Sequence, residues 1–359
     1  MIKEEEIFGI PPFSIEAIEK QKRLLYLLNK LCQYHIHHSS AYKNILNAYG
    51  ITKISAQNLE DLPYLSIRLF KENHLMSVPE HEVIKVLRSS GTTGQKPAQI
   101  YLDKTTAAFQ SKALVSIMQD FIGRQRLPML IFDSKETILA QQQLSARGAG
   151  ILGFANFGRD HTYALDSQMN IDLERIHYFL EKHHDEKILM FGFTFIIWKQ
   201  VIQALQELNS PLSCKQGILI HGGGWKKLQQ EAVDNEQFKR KIQQWLGVST
   251  IHNYYGLVEQ VGSIFMECSQ GHLHCPIYSN VLIRDPITLE LLPKKTPGII
   301  ELMSILPNSY PGHILLTEDL GEIIGDDDCP CGRKGVYFHV YGRIANAEPR
   351  GCSDTYDAR

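Results

Sequence analysis

Arg88-Ser-Ser-Gly-Thr-Thr-Gly-Gln-Lys-Pro97 is the stretch on which the reading of this chain turns. Ser89, Ser90, Thr92 and Thr93 surround Gly91 and Gly94, directly after an alternating segment, residues 82–87, that predicts a strand. Glycines let successive backbone N–H groups turn toward one concave point, hydroxyls add donors, and Lys96 adds a positive charge. Together these are what a polyphosphate requires. The Gly-x4-Gly-Lys-Ser/Thr spacing of the Walker loop is absent. A hydrophilic turn is the alternative, since Ser, Thr and Gly are common in loops. The density of hydroxyls and glycines around one lysine favours the phosphate cradle.

Outward from this loop, short apolar runs at residues 99–102, 129–132, 188–191 and 217–220 read as strands. Helical patterns separate them at 105–121, 173–183, 196–208 and 228–246. Such alternation predicts an α/β fold with a parallel or mixed sheet covered by helices. From about Gly262 the texture becomes β-rich, with runs at 263–266, 281–283, 298–302, 313–316 and 336–340 punctuated by Gly and Pro. The N-terminal residues 14–49 read as a helix, with Ser14 as N-cap, Gly50 as stop and Ile18, Leu25, Leu28 and Leu31 at near-helical spacing. The expected organisation is one large domain over residues 1–341 and a short tail, 342–359, too small for a core of its own.

Composition narrows the function. The 359 residues carry 37 Lys+Arg against 39 Asp+Glu, a formal net charge of −2, which argues against a broad nucleic-acid footprint. The apolar run near residues 191–198 is far too short to span a bilayer. The acidic start, Met1-Ile-Lys-Glu-Glu-Glu6, has no apolar signal core, and seven cysteines do not suit a disulfide framework. A cytoplasmic protein is expected. No dinucleotide fingerprint is present.

Three further clusters carry chemistry. Gly222-Gly223-Gly224 follows a buried run, where glycines either let something flat approach the backbone or make a tight turn. Cys268, His272, His274, Cys275, Cys329 and Cys331 supply Cys/His pairs from separate turns, the donor set of a tetrahedral structural Zn²⁺. Cys268, His274, Cys329 and Cys331 are the preferred ligands, with Cys275 or His272 as substitutes; unligated loop cysteines are the alternative. Cys352 stands apart in Pro349-Arg-Gly-Cys-Ser-Asp-Thr355, where Arg350 favours the thiolate and Asp354 opposes it. Cys32 and Cys214 read as packing residues.

Ser-Ser-Gly-Thr-Thr-Gly resembles the phosphate loop of the adenylate-forming enzymes, which include acyl-CoA synthetases, peptide-synthetase adenylation domains and firefly luciferase. The acyl-protein synthetase (LuxE) branch is the nearer resemblance. It is carried by Ile7-Phe-Gly-Ile-Pro-Pro-Phe13, His221-Gly-Gly-Gly-Trp-Lys-Lys227, Tyr255-Gly-Leu-Val-Glu-Gln260 through Met266-Glu-Cys268, and Arg350-Gly-Cys-Ser-Asp-Thr355. The resemblance spans nearly the whole chain. It implies the large N-terminal domain of that superfamily, with the mobile C-terminal domain and its catalytic lysine reduced to a short tail.

The resemblance also implies roles. Gly222, Gly223 and Gly224 would line the adenine pocket, and Tyr255, preceding Gly256, would lie against adenine. Glu259 would hold Mg²⁺; a surface cap or ion-pair residue is the alternative reading. Val258 stands where the family has a Thr hydroxyl at the α-phosphate, so Gln260 or the loop hydroxyls would replace it. Asp319, in Thr317-Glu318-Asp319, would accept from the ribose, and Arg343 would contact the nucleotide, with Ala345 replacing the usual hinge residue. Lys96 or another basic residue would stand in for the missing lysine. Cys352 matches the acyl-accepting cysteine of the branch.

The expected activity is that of a ligase: ATP and Mg²⁺ activate a long-chain fatty acid to acyl-AMP, and Cys352 takes the acyl group as a thioester. A LuxC-like reductase partner would then make the aldehyde. Transfer to coenzyme A or a carrier protein is the enzymatic alternative, and a non-catalytic scaffold the other. Phe191, Phe193, Phe195 and Trp198 either line an acyl tunnel or form core.

Overall fold

The computed structural model of the chain describes residues 3–89, 97–139, 146–225 and 233–344. Its N-terminal part departs from the single helix expected at 14–49. Two helices form instead, α1 (Ala17–His38) and α2 (Ser40–Ala48). The break is Ser39, in extended conformation, whose Oγ accepts the Tyr42 N–H at 3.3 Å and so caps α2. Ser14 is not the N-cap of α1, since its hydroxyl donates to the Pro11 carbonyl at 2.8 Å. The buried stripe is Ala17, Lys20, Leu24, Leu27, Leu28, Leu31, Cys32 and His35, spaced by threes and fours. Ile18, placed on that stripe by its spacing, is 71% exposed, because the helix phase is set by the neighbouring leucines.

The strands are β1 (Leu65–Ser66), β2 (Lys85–Arg88), β3 (Gln99–Leu102), β4 (Leu127–Ser134), β5 (Gly158–Leu165), β6 (Ile188–Phe193), β7 (Gly217–Gly222), β8 (Thr250–Tyr255), β9 (Phe265–Glu267), β10 (Leu273–His274), β11 (Ser279–Arg284), β12 (Gly298–Ser304), β13 (Ile314–Asp326) and β14 (Val336–Arg343). The chain divides into two units, one of residues 3–121 with 255–344, the other of residues 122–254.

In the unit of residues 122–254, β5, β4, β6, β7 and β8 pair in that order, all parallel. Every residue of β4, β6 and β7 is buried, which is why these strands read as continuous apolar runs rather than alternating ones. Helices at Ala146–Ala155, Leu173–Lys182 and Asn235–Leu246 complete the alternation. The last is capped by Asp234, whose carboxylate accepts the Gln237 N–H at 2.7 Å, and ends at Gly247 in the left-handed region. The helix expected at 196–208 forms with a π-helical segment, Ile197–Ile202, inside it. Phe191 stacks on Phe154 at 4.3 Å, whereas Trp198 packs on Trp225 and Phe238. Phe191, Phe193 and Trp198 are thus buried core residues, split between separate clusters.

In the other unit, β11, β12, β13, β14, β10 and β9 form an antiparallel sheet. Its core gathers Phe265, Val281, Ile283, Ile300, Leu302 and Phe338, with Tyr255 and Leu257 packed at the margin. β12 pairs with one edge of β13 over residues 314–321. The other edge is shared: β1 runs parallel beside Leu315–Leu316, and β14 runs antiparallel beside residues 319–326. The ends of β1 and β14 therefore converge at residues 317–319.

Candidate functional site

The β2–β3 hairpin carries the phosphate-loop candidate. Arg88 pairs with Gln99 at its end, and beyond them the Ser89 N–H donates to the Ala98 carbonyl at 3.0 Å while Ser89 Oγ accepts the Ala98 N–H at 2.8 Å. Ser89 closes the neck of the loop, through one main-chain and one side-chain bond to Ala98. Ser90, Gly91, Thr92, Thr93, Gly94 and Lys96 lie outside the described residues.

Residues 317–319 bring several candidates together. Tyr255 Oη donates to Asp319 Oδ2 at 2.6 Å, and Arg343 Nε lies 3.6 Å from Asp319 Oδ1. Asp319 and Arg343 face each other in the β13–β14 ladder. Thr317 Oγ1 donates to the Ile300 carbonyl at 2.8 Å and accepts the Asp319 N–H at 3.1 Å, which fixes the turn of the strand here. Glu318, which no motif singled out, is buried between two guanidiniums: Arg68 Nε and Arg343 Nη2 each donate to it. Sequence reasoning named it only as the residue between Thr317 and Asp319.

Glu259 lies in the single turn Val258–Gln260 and is buried; its carbonyl accepts Tyr310 Oη at 2.8 Å. Gln260 is not available as the replacement for the Thr hydroxyl. It is 1% exposed, and its amide nitrogen donates to the Leu302 and Gly312 carbonyls. Gly256 is a close-packing position, since a Cβ there would come within 3.1 Å of Ile264.

In the other unit, something flat does approach Gly222: the ring of Tyr254, which a Cβ would meet at 2.4 Å. Gly223 has φ +81°, a conformation glycine favours, and a Cβ on Gly224 would meet nothing within 4 Å among the described residues. The preceding His221 is buried, its Nδ1 is 2.9 Å from Thr194 Oγ1, and burial pushes its imidazole pKa down to about 3.

Cys268, His274, Cys329 and Cys331 converge, their ligand atoms all within 4.8 Å of one another. β9 and β10 bring Cys268 and His274 close, and the β13–β14 turn supplies the other two cysteines. Cys268 Sγ is 3.8 Å from Cys329 Sγ, and Cys331 Sγ is 3.3 Å from His274 Nε2. A tetrahedral zinc with Zn–S of about 2.3 Å sets its sulfurs about 3.8 Å apart, so the spacing suits a metal ion. Burial pushes the Cys329 thiol up to about 12. A cation held by these four residues would reverse that balance and favour the thiolates. The Cys268 sulfur also accepts the Gln270 N–H at 3.4 Å. Cys275 is not in the cluster: it is buried elsewhere, and its carbonyl accepts the Lys20 ammonium at 2.9 Å. His272 lies beside the cluster, its Nδ1 3.3 Å from Cys329 Sγ. Cys32 and Cys214 are buried packing residues, while Cys352 lies outside the described residues.

Residues 2–359 match the family described as acyl-protein synthetase, LuxE. The chain belongs to that family. Among relatives of this acyl-protein synthetase is a long-chain-fatty-acid–luciferin-component ligase of Vibrio harveyi, 21% identical over 353 residues, covering 94% of this chain and 88% of the relative. A protein of the same name from Aliivibrio fischeri is 22% identical over 358 residues, covering 94% and 89%. In fold the synthetase is similar to an open conformation of 2-hydroxyisobutyryl-CoA ligase, with a TM-score of 0.71 at 18% identity, covering 96% of this chain and 82% of that one. The acyl-protein synthetase is thus an acyl-activating ligase with the α/β fold of adenylate-forming enzymes. No described helix is long and apolar enough to cross a membrane.

Proposed function

We propose that this acyl-protein synthetase converts a long-chain fatty acid, with ATP, to acyl-AMP and pyrophosphate, and then carries the acyl group on its own Cys352. The observation that carries the nucleotide half is the Tyr255–Asp319–Arg343 cluster. A carboxylate held between a phenol and a guanidinium is oriented to accept hydrogen bonds from vicinal ribose hydroxyls, and the Tyr255 ring offers an aromatic face beside it. The names of the two relatives support a long-chain fatty acid as substrate.

In this reading a fatty-acid carboxylate oxygen attacks the α-phosphorus, the bond to the bridging oxygen breaks, and pyrophosphate leaves. Asp319 and Tyr255 position the nucleoside, while Arg343 compensates the charge of the phosphates; positioning and charge stabilisation do most of the work. Glu259 is a hard oxygen donor of the kind that suits Mg²⁺, which would shield the phosphates. Ser90, Thr92, Thr93, Gly91, Gly94 and Lys96 would cradle the leaving pyrophosphate, and Gly222–Gly224 are assigned to adenine on resemblance alone. The Cys352 thiolate then attacks the acyl carbonyl, AMP departs, and the thioester passes to a reductase partner. Residues 1–341 would form the catalytic domain and 342–359 the tail that carries the acyl group.

The Cys268–His274–Cys329–Cys331 cluster is assigned to Zn²⁺ in a structural role. Three sulfurs and a nitrogen form the soft donor set zinc prefers, and four protein ligands leave no open position.

Fatty-acid-dependent exchange of labelled pyrophosphate into ATP tests adenylation. Exchange that requires the fatty acid and is weakened by Asp319→Ala supports the reading. Absence of exchange in the wild type contradicts it and favours a non-catalytic scaffold.

A further inference from the structure

The carboxyl ends of β6, β7 and β8 meet in one row of the parallel sheet, where Phe193 pairs with Gly222 and Gly222 with Tyr254. Parallel sheets bind their ligands beyond such ends. Two consecutive residues at the end of β6 hold two consecutive glycines at the end of β7. Thr194 Oγ1 donates to the Gly222 carbonyl at 3.2 Å. The Phe193 ring lies against Gly223, where a Cβ would come within 3.2 Å of its Cδ1. A trans peptide is planar, so a fixed Gly222 carbonyl fixes the whole Gly222–Gly223 peptide unit. Glycine on its own leaves that unit free to choose among many orientations.

His221 sets the direction of the Thr194 hydroxyl. Its Nδ1 is 2.9 Å from Thr194 Oγ1, and its Nε2 is buried with no partner among the described residues. Burial keeps the ring neutral, so it carries a single N–H. The hydroxyl likewise has one proton. Both bonds are made only when Nδ1–H donates to Oγ1 and the hydroxyl donates to the Gly222 carbonyl. The other tautomer would turn the hydroxyl toward Nδ1, bury an unpaired Nε2–H and release the carbonyl. The Phe238 ring, 4.6 Å from the imidazole, packs against it.

We propose that Thr194 is a positioning residue of the nucleotide site: oriented by His221, its hydroxyl holds the Gly222–Gly223 peptide in the one orientation against which adenine packs. This rests on the reading of Gly222–Gly224 as the adenine-facing turn. The signature is specific to ATP. Thr194→Val, close to isosteric, deletes only the hydroxyl and raises the KM for ATP by about fivefold, the scale of one lost hydrogen bond. The KM for the fatty acid changes by less than about twofold, because the effect is confined to the nucleotide. Thr194→Ser keeps the hydroxyl and stays within about twofold of the wild type for ATP.

His221→Phe keeps a ring and removes the N–H that orients the hydroxyl. It raises the KM for ATP by itself, and adds less than about twofold in the Thr194→Val background, because it acts through that hydroxyl. Steady-state pyrophosphate-exchange kinetics on the full chain, varying ATP and fatty acid separately, read all of these, with melting temperatures measured in parallel. An unchanged KM for ATP in Thr194→Val overturns the proposal. So does a Thr194→Ser no better than Thr194→Val, a His221→Phe effect that adds in full to that of Thr194→Val, or a loss that falls equally on both substrates and follows the melting temperature. Gly224→Leu tests the underlying reading, since a Cβ there meets nothing within 4 Å among the described residues and the side chain projects from the turn. If Gly224→Leu leaves the KM for ATP unchanged, the turn does not face the nucleotide and the role of Thr194 falls with that reading. If Gly224→Leu raises that KM and Thr194→Val does not, only the Thr194 inference fails.

Discussion

The carboxylate of Asp327 accepts the N–H of Ala17 at 2.9 and 3.1 Å across 310 residues of sequence, and so caps a helix to which it does not belong. The helix's own N-cap, Glu16, makes no side-chain cap bond. Asp327 also accepts the Gly335 N–H at 2.7 Å, inside the turn that presents Cys329 and Cys331. One carboxylate therefore joins the start of α1 to the turn that carries Cys329 and Cys331.

Removing that carboxylate has a defined cost. Asp327→Ala is expected to lower unfolding stability by about 1–2 kcal/mol in urea denaturation, the size of a lost helix cap. Asp327→Asn keeps an acceptor and tolerates the left-handed backbone, φ 61°, so it retains most of the stability. Equal losses in the two variants would mean that capping is not what Asp327 supplies.

The assignment of the Cys268–His274–Cys329–Cys331 cluster to zinc predicts about one zinc per chain by elemental analysis of the purified protein. Cys329→Ser is expected to abolish it and to lower the melting temperature by about 5 °C or more, with the turn left unclamped. Chelation of the wild type should reproduce the shift. A metal-free protein that melts where the metal-loaded one does would remove the structural role.

Tyr255→Phe keeps the ring and deletes only the hydroxyl that holds Asp319. Loss of one hydrogen bond to a charged group predicts a KM for ATP raised by about five- to tenfold, with kcat less affected. A change confined to the fatty-acid KM would move Tyr255 out of the nucleotide site.

The acid sensitivity of the fold follows from buried histidines. His35 and His313 lie 4.7 Å apart, both fully buried; burial holds His35 well below the usual range and pushes His313 down to about 3. Both are neutral in the fold, while the unfolded chain takes up their protons near pH 6.5. The unfolded state therefore binds more protons below that pH, and stability present above it is lost as pH falls from about 6.5 toward 3. His313 alone accounts for about 2 kcal/mol between pH 7 and pH 5 on this basis. His313→Gln should flatten the decline measured by urea denaturation across that interval. An unaltered slope would assign the acid sensitivity elsewhere.

Much of the parallel sheet was legible because its strands are buried on both faces and read as unbroken apolar runs, as at residues 188–191 and 217–220. The convergence of Cys268, His274, Cys329 and Cys331 was legible as a set of Cys/His pairs, although only the ladder between β10 and β14 shows why His274 belongs to it and Cys275 does not. What the sequence hid was long-range. The cap of α1 comes from Asp327 and not from Ser14, and one partner of Glu318 is Arg68, 250 residues away. Local periodicity carries no information about such partners. Gln260 misled for a related reason: an amide next to an acidic candidate looks like a ligand donor until its bonds to the Leu302 and Gly312 carbonyls are seen.

The most direct test of the acyl-transfer account incubates the purified protein with Mg·ATP and a radiolabelled long-chain fatty acid and resolves it on a denaturing gel. The account predicts a labelled protein band that hydroxylamine strips and that Cys352→Ser lacks. Labelled acyl-AMP that forms without any protein band, and that is consumed when coenzyme A is added, would contradict self-acylation and make the chain a ligase with a diffusible acceptor.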